Sequence, residues 1–372
     1  MAQTKKGTVI IGGGVVGLGV GWKLLQRGEP VTLLERGDTG REASWAAAGM
    51  LAPANEAHFQ EDENLFLGQE SMALYPEFVS ELEAFTGINV DYRTEGTLSV
   101  ALDADDTAVL RELYAAQQKY HLPVRWLSGE EVREKEPGLS NYICAGIDCP
   151  MDHQIDNRKL MDALRAAFLK AGGTLHEQTE VTGVSVSDGL SVMAREQEWQ
   201  TKRIVLAAGA WSGLIPGLPD SARPPVRPLK GQMFSLLAPA PDFLTHVIRA
   251  PNIYIAPKNN GTIVFGATME EMGFDRQVTA GGLYSKLKGA WETVPGVYDL
   301  PIKETWVGFR PSSRDNAPLL GETAHPGVYA ATGHHRGGIL FAPATAIHMA
   351  TVILDGVVPD ALKPFDPKRF AA

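Results

Sequence analysis

A chain of 372 residues, 44% of them hydrophobic and 21% charged, is long enough for two or three domains and too apolar to stay disordered. Its 34 basic and 44 acidic residues give a formal net charge of -10, which on average repels nucleic-acid phosphates and anionic membranes. The two cysteines, Cys144 and Cys149, exclude a disulfide scaffold and a cysteine-rich metal site, lack C-x-x-C spacing, and read as free thiols.

Residues 8–12, Thr-Val-Ile-Ile-Gly, form a β-branched run ending in glycine, the pattern of a buried strand in a parallel sheet. Residues 15–27 follow as a helix with Val16, Val20 and Leu24 on one face, stopped by Gly28-Glu29-Pro30; residues 31–35 are a second strand. Together they make a βαβ unit of ordinary length. The next stretch, 39–51, is rich in glycine, alanine and serine. Small residues there either let backbone approach a ligand or pack as a tight helix on the sheet, and composition alone favours the helix. Residues 65–86 are an amphipathic helix, strands fall at 95–101 and 144–148, and a charged helix spans 104–121 between them. Residues 156–171 are helical with Asp156 as N-cap, and 174–206 read as short strands. Five prolines between Pro216 and Pro228 mark a domain crossing within 214–230. Strands at 232–237, 246–256 and 262–267 precede a helix at 280–291, a strand at 305–310 and a last helix at 343–355. No apolar run reaches the roughly 18 residues of a spanning helix. Nor does Met1–Lys6 lead into a signal-peptide pattern, so a soluble cytoplasmic protein without membrane or nucleic-acid partners is expected.

Gly12-Gly13-Gly14-Val15-Val16-Gly17 fits G-x-G-x-x-G. The match gains meaning from its place, after a strand and at the opening of a helix. Gly12 permits the turn, Gly14 lets backbone meet a pyrophosphate, and Gly17 allows close helix–strand packing, while the N–H groups at Val15 and Val16 present the positive end of the helix. Glu35, at the end of the second strand, can accept from both hydroxyls of an adenosine ribose and disfavours a 2′-phosphate; Arg36 follows it. The fingerprint does not separate FAD from NAD. Two features favour FAD: the small-residue stretch after Glu35, and Ile204–Ser212, a late strand that returns to the first fold and ends in small residues.

The glycine fingerprint, Glu35, Ser44-Trp-Ala-Ala-Ala-Gly-Met50 and Ala207-Ala-Gly-Ala-Trp-Ser212 together resemble the D-amino acid oxidase family of flavoproteins. Tyr254-Ile-Ala-Pro-Lys258, Val264–Met269, Gly308–Asp315 and Thr332–Thr345 extend the likeness over nearly the whole chain. The resemblance implies an α/β fold of two interwoven domains. A Rossmann-like FAD domain would take 1–90, 148–225 and 308–372, and a substrate domain with an antiparallel sheet would take 91–147 and 226–307.

The family's cofactor residues carry over to Ala43, Ser44, Ala48, Gly49 and Met50, to Val181 on the adenine side, and to Ala208, Gly209 and Trp211. The loop expected to cover the flavin ring carries over to His334, His335, Arg336, Gly337, Gly338, Ile339 and Leu340. Arg310 matches the carboxylate-binding arginine, Tyr254 a tyrosine donating to the same carboxylate, Met269 an apolar wall, and Arg336 an arginine near the active site. Each has a plainer reading: Arg310 as a surface ion-pair partner, Tyr254 and Met269 as core, the two histidines as loop residues. No metal is expected, because the histidines lack further ligands at zinc-like spacing.

The family's sarcosine-oxidising members bind FAD through a cysteine in the segment matching 306–321, which has none here; non-covalent FAD is therefore implied. The implied activity is oxidative deamination of glycine, sarcosine or small D-amino acids to a 2-oxo acid, ammonia and hydrogen peroxide. The imine would be passed on to thiazole assembly, and a homotetramer is implied. The alternatives are a D-amino acid dehydrogenase, a sarcosine-oxidase-like enzyme and, in a different class, a non-catalytic FAD-binding redox sensor.

Overall fold

The computed structural model describes residues 7–56, 62–187 and 189–370; the Met1–Lys6 segment read above lies outside them. The first β-branched run forms the strand Thr8–Ile11, every residue of it buried. It lies at the centre of a six-stranded sheet, parallel to Val31–Leu34 on one side and to Arg203–Leu206 on the other. Thr174–His176 extends the sheet beyond Val31–Leu34, and Val328–Thr332 extends it beyond Arg203–Leu206. The sheet is therefore assembled from five separated stretches of chain. Its far edge, Leu319–Glu322, is the antiparallel member of a hairpin with Val328–Thr332.

The helix Val15–Gln26 buries Val15, Leu18, Val20, Trp22 and Leu24. The expected single face is wider than the sequence pattern suggested. The reason is that the helix is covered by the helices Asn157–Lys170 and Ala342–Asp355 as well as by the sheet, while half-buried Val16 lines the cleft described below. Asp156 caps Asn157–Lys170, its carboxylate accepting from the backbone N–H groups of Arg158 and Lys159.

The second layer is an eight-stranded sheet in the order Ile302–Ser312, Arg227–Leu237, Thr262–Gly266, Ile253–Pro257, Val247–Ala250, Thr97–Ala101, Ala145–Cys149, Arg125–Ser128. All neighbours are antiparallel except Val247–Ala250 with Thr97–Ala101, where the chain returns from a distant segment. The single strand expected at 246–256 is two strands folded back at Pro251–Asn252, since proline lacks the N–H a ladder needs. The proline-rich crossing ends sooner than expected, because Arg227–Leu237 already includes Pro228, paired with Pro311. The small-residue stretch forms one helical turn, Ala43–Ala46, and a short strand, Met50–Leu51. It is also a wall of the cleft. The helix Gly129–Lys135, closed by a Ser128/Glu131 capping box, had escaped the sequence reading. Among the described residues no single helix is long and apolar enough to cross a membrane.

Candidate active site

The strand Thr8–Ile11 delivers the glycine turn to the mouth of a cleft between the two sheets. A β-carbon on Gly12, where φ is +110°, would come 2.5 Å from the Ala207 carbonyl oxygen, and one on Gly17 would come 2.0 Å from the Gly12 carbonyl oxygen. Packing within the protein thus demands both glycines. Gly14 differs: its added β-carbon would meet only Ser44 Oγ, at 3.2 Å, and otherwise face the cleft. The Val15 N–H, at the start of the helix, donates to Ser44 Oγ at 3.0 Å. Glu35 stands one residue beyond Val31–Leu34 and accepts from the Gly13 N–H at 2.7 Å and the Gly37 N–H at 2.9 Å. These bonds aim its carboxylate at the glycine turn.

The cleft has a volume of about 810 Å³, toward the upper end of the roughly 300–1,000 Å³ of ligand pockets. Every residue predicted to touch cofactor or substrate lines it except Gly17, whose role is the packing just described. Glycine turn, helix N-terminus, ribose-side carboxylate and walls of alanine and glycine fit an extended dinucleotide.

The eight-stranded sheet forms the floor. Arg310 and Tyr254 stand on different strands, and two glycines make room for them. Gly231 lies two residues along its strand from Leu229, the partner of Arg310, and a β-carbon on it would sit 2.8 Å from the Arg310 guanidinium. Gly266 pairs with Tyr254, and a β-carbon there would sit 2.3 Å from the tyrosine hydroxyl. The Tyr254 ring therefore lies across the neighbouring strand, and its hydroxyl donates to Met233 Sδ at 3.6 Å. Arg310 Nη1 donates to the Thr268 carbonyl at 3.1 Å. Both residues are half-buried and line the cleft, and Tyr254 also packs against the hydrophobic cluster that includes Met233, Val264 and Trp306. Met269 is 59% exposed at the cleft, so it is not core. The sequence reading passed over Gly231 and Gly266; glycine inside a strand marks close approach and was the available signal.

Over the cleft runs the loop 333–340. His334 is buried, shares a hydrogen bond between Nε2 and Thr345 Oγ1 at 3.1 Å, and burial pulls its pKa down to about 3. It is neutral throughout the physiological range. His335 Nδ1 shares a hydrogen bond with Ser312 Oγ at 2.7 Å, tying the loop to the floor strand.

Two further sets of contacts, at Lys258 and at Arg36, arise only from tertiary packing. Lys258 is buried, and its Nζ donates to the carbonyls of Ala48 (2.6 Å) and Ile155 (3.0 Å) and to Gln154 Oε1 (3.4 Å). Burial lowers its pKa to about 8. It anchors the small-residue wall to the floor sheet. At the dinucleotide end, Arg36 stacks 3.8 Å above the Trp211 ring, whose centroid is 4.6 Å from that of Phe274. Glu42 accepts from Arg36 at 3.0 Å and from Arg276 at 2.7 Å, linking the segment after Val31–Leu34 to the segment that precedes the helix Ala280–Thr293.

Comparison with known proteins agrees with this architecture. Residues 8–352 match the family described as FAD dependent oxidoreductase, DAO. The bifunctional protein ThiO/ThiG of Trichormus variabilis is 36% identical over 97% of this chain. The chain spans about half the length of that protein, 55%. The glycine oxidase of Geobacillus kaustophilus is 34% identical over 97% of this chain and 96% of its own. The crystal structure of glycine oxidase from Geobacillus kaustophilus superposes with a TM-score of 0.93 at 32% identity, covering all of both chains. The chain belongs to the DAO family of FAD-dependent oxidoreductases, and its fold is the family's two-domain arrangement.

Proposed function

We propose that the protein is an FAD-dependent oxidase of glycine and other small amines, sarcosine and small D-amino acids included. The observation that carries this reading is the convergence of Arg310 and Tyr254, from separate floor strands, on the cleft that begins at the glycine turn. FAD, when bound, supplies the two-electron acceptor.

In this reading Arg310 holds the substrate carboxylate with two parallel N–H donors, and Tyr254 donates to the same group. Two contacts from different strands fix orientation as well as affinity, so the α-carbon faces the cleft interior. Met269 closes the rim with apolar surface, Arg336 adds a cation above it, and the 333–340 loop excludes water. The substrate amine must lose its ammonium proton before the α-carbon can give up hydride. No side chain is assigned as an obligatory base, so turnover should rise with pH as free amine accumulates. The imine then hydrolyses to a 2-oxo acid and ammonia, and dioxygen is the final acceptor, yielding hydrogen peroxide. FAD is held non-covalently, since 306–321 contains no cysteine. The likeness to a bifunctional ThiO/ThiG protein supports delivery of the imine to thiazole assembly as the biological role.

The test is anaerobic titration of purified protein with glycine, sarcosine and D-alanine, followed by air. Bleaching of the flavin band and rapid recolouring with peroxide release is expected. Bleaching that persists in air would replace the oxidase reading with a dehydrogenase using another acceptor, and no bleaching by any amine would leave a non-catalytic FAD protein.

A further inference from the structure

The charges along the cleft are unevenly placed. Among the described residues four carboxylates line it, Glu35, Asp38, Glu42 and Glu180. All four come from the segments 35–42 and 180, at the dinucleotide end. On the floor, where Arg310 and Tyr254 stand, the lining charges are Arg249, Lys286 and Arg310, and all are cationic. Arg249 is paired with Tyr254 in the ladder, and its charge is felt by the buried carboxylate of Asp152.

Lys286 is different. It projects from the helix Ala280–Thr293, which packs on the floor sheet. Its Nζ donates to the Asn252 carbonyl at 2.5 Å, in the turn two residues before Tyr254. Among the described residues no carboxylate pairs with it. Burial, and then the proximity of the Arg310 guanidinium, lower its pKa. Two like charges are thus held at one end of one cavity, and a single carboxylate on Arg310 neutralises only one of them. A monoanionic amino acid leaves the second cation partly desolvated without a counter-charge, which is costly. A second anionic group on the substrate would relieve that cost.

We propose that Lys286 is a specificity-determining residue that binds a second carboxylate, so that the favoured substrates are small amines carrying two carboxylates. This rests on the amine-oxidase reading above and names the substrate class of that same site. Arg310 and Tyr254 take the carboxylate attached to the carbon that is oxidised, and the Lys286 ammonium takes the other. That second carboxylate can be carried on the amine nitrogen or on the side chain, and the test separates the two.

The experiment compares the holoenzyme's kcat/KM in matched pairs. Iminodiacetate against sarcosine places the extra carboxylate on the nitrogen arm, and D-aspartate against D-alanine places it on the side chain. At least one dicarboxylate is expected to exceed its partner by fivefold or more. Lys286→Met should lower that ratio at least tenfold, and Lys286→Arg should restore most of it. Binding is read independently of turnover by calorimetric titration with thiodiacetate and methylthioacetate, which cannot be deaminated: thiodiacetate should bind at least fivefold tighter, and Lys286→Met should erase the difference. Oxidation of sarcosine and D-alanine with neither dicarboxylate favoured would overturn the inference while leaving the amine-oxidase reading intact, as would a ratio unmoved by Lys286→Met. If no amine is oxidised, the reading itself fails, and equal binding of the two thioethers would then dismiss the Lys286 subsite on its own terms.

Discussion

Replacing Arg310 with alanine tests the orientation argument most directly. Its guanidinium lies over Gly231, with 2.8 Å between Nη1 and the place a β-carbon would occupy, and Nη1 donates to the Thr268 carbonyl at 3.1 Å. The fork is therefore held in place before any substrate arrives. Removing one partner of a buried charge-assisted pair costs about 2–5 kcal/mol. At about 1.4 kcal/mol per tenfold, this corresponds to a loss of roughly 30-fold to 5,000-fold in kcat/KM for glycine. Most of it should appear in KM, because the contact is made in the ground state as well as the transition state. FAD occupancy, read from the ratio of flavin to protein absorbance, should stay normal, since Arg310 stands on the floor sheet and not at the glycine turn. Arg310→Lys should recover only part of the loss, a point charge being unable to reproduce two parallel donors. Gly231→Ala provides an independent check: its new methyl group must displace the guanidinium, raising KM by less than Arg310→Ala while FAD stays bound. A KM within twofold of the parent enzyme in Arg310→Ala would refute the carboxylate role.

Glu35→Ala removes the carboxylate that accepts from the Gly13 and Gly37 N–H groups; FAD should dissociate more readily on dilution or gel filtration, and unchanged retention would argue against a ribose contact. Lys258→Met leaves the buried carbonyls of Ala48 and Ile155 without their donor, at about 1–3 kcal/mol for each unsatisfied group. Tm of the apoprotein and FAD affinity should both fall, and a variant matching the parent in both would show that the wall does not depend on this anchor. Asp152 accepts from the Ala54 and Asn55 N–H groups and from Asn55 Nδ2, yet burial raises its pKa to about 6, above the ordinary carboxyl value. The folded state then binds this proton more tightly than the unfolded chain. The group's contribution to stability is therefore greatest in acid and is lost as pH rises through the window up to about 6, by about 3 kcal/mol in all. Thermal melts from pH 4 to pH 7 should show a smaller decline in Asp152→Asn than in the parent, and parallel curves would rule out this ionisation.

The dinucleotide end was legible because its physics is local. A β-branched strand, a glycine turn whose φ and close contacts exclude side chains, a helix N-terminus and a carboxylate one strand later lie within the first 35 residues, and their spacing alone implies an anion cradle. Val181, Trp211 and the 333–340 loop were placed by family resemblance, and the structure brings all of them to the same cleft. Secondary structure was misread where local pattern was ambiguous. The run 246–256 is continuous in β-propensity yet folds back at Pro251–Asn252, and the 39–51 stretch forms one helical turn and a short strand along the cleft wall.

What the sequence by itself determined is the nucleotide-binding unit and the residue types suited to grip a carboxylate. The tertiary structure alone decided which of those residues meet. Arg310 and Tyr254 converge only because Gly231 and Gly266, on neighbouring strands, leave the space that their side chains occupy. The cation of Lys258, more than 200 positions from the alanine whose carbonyl it caps, becomes a wall anchor only once the two sheets close. Lys286 joins Arg310 only because a helix packs across the floor. Such pairings depend on strand order and helix packing, which arise from burial of apolar faces across the whole chain, and no local window of sequence carries that information.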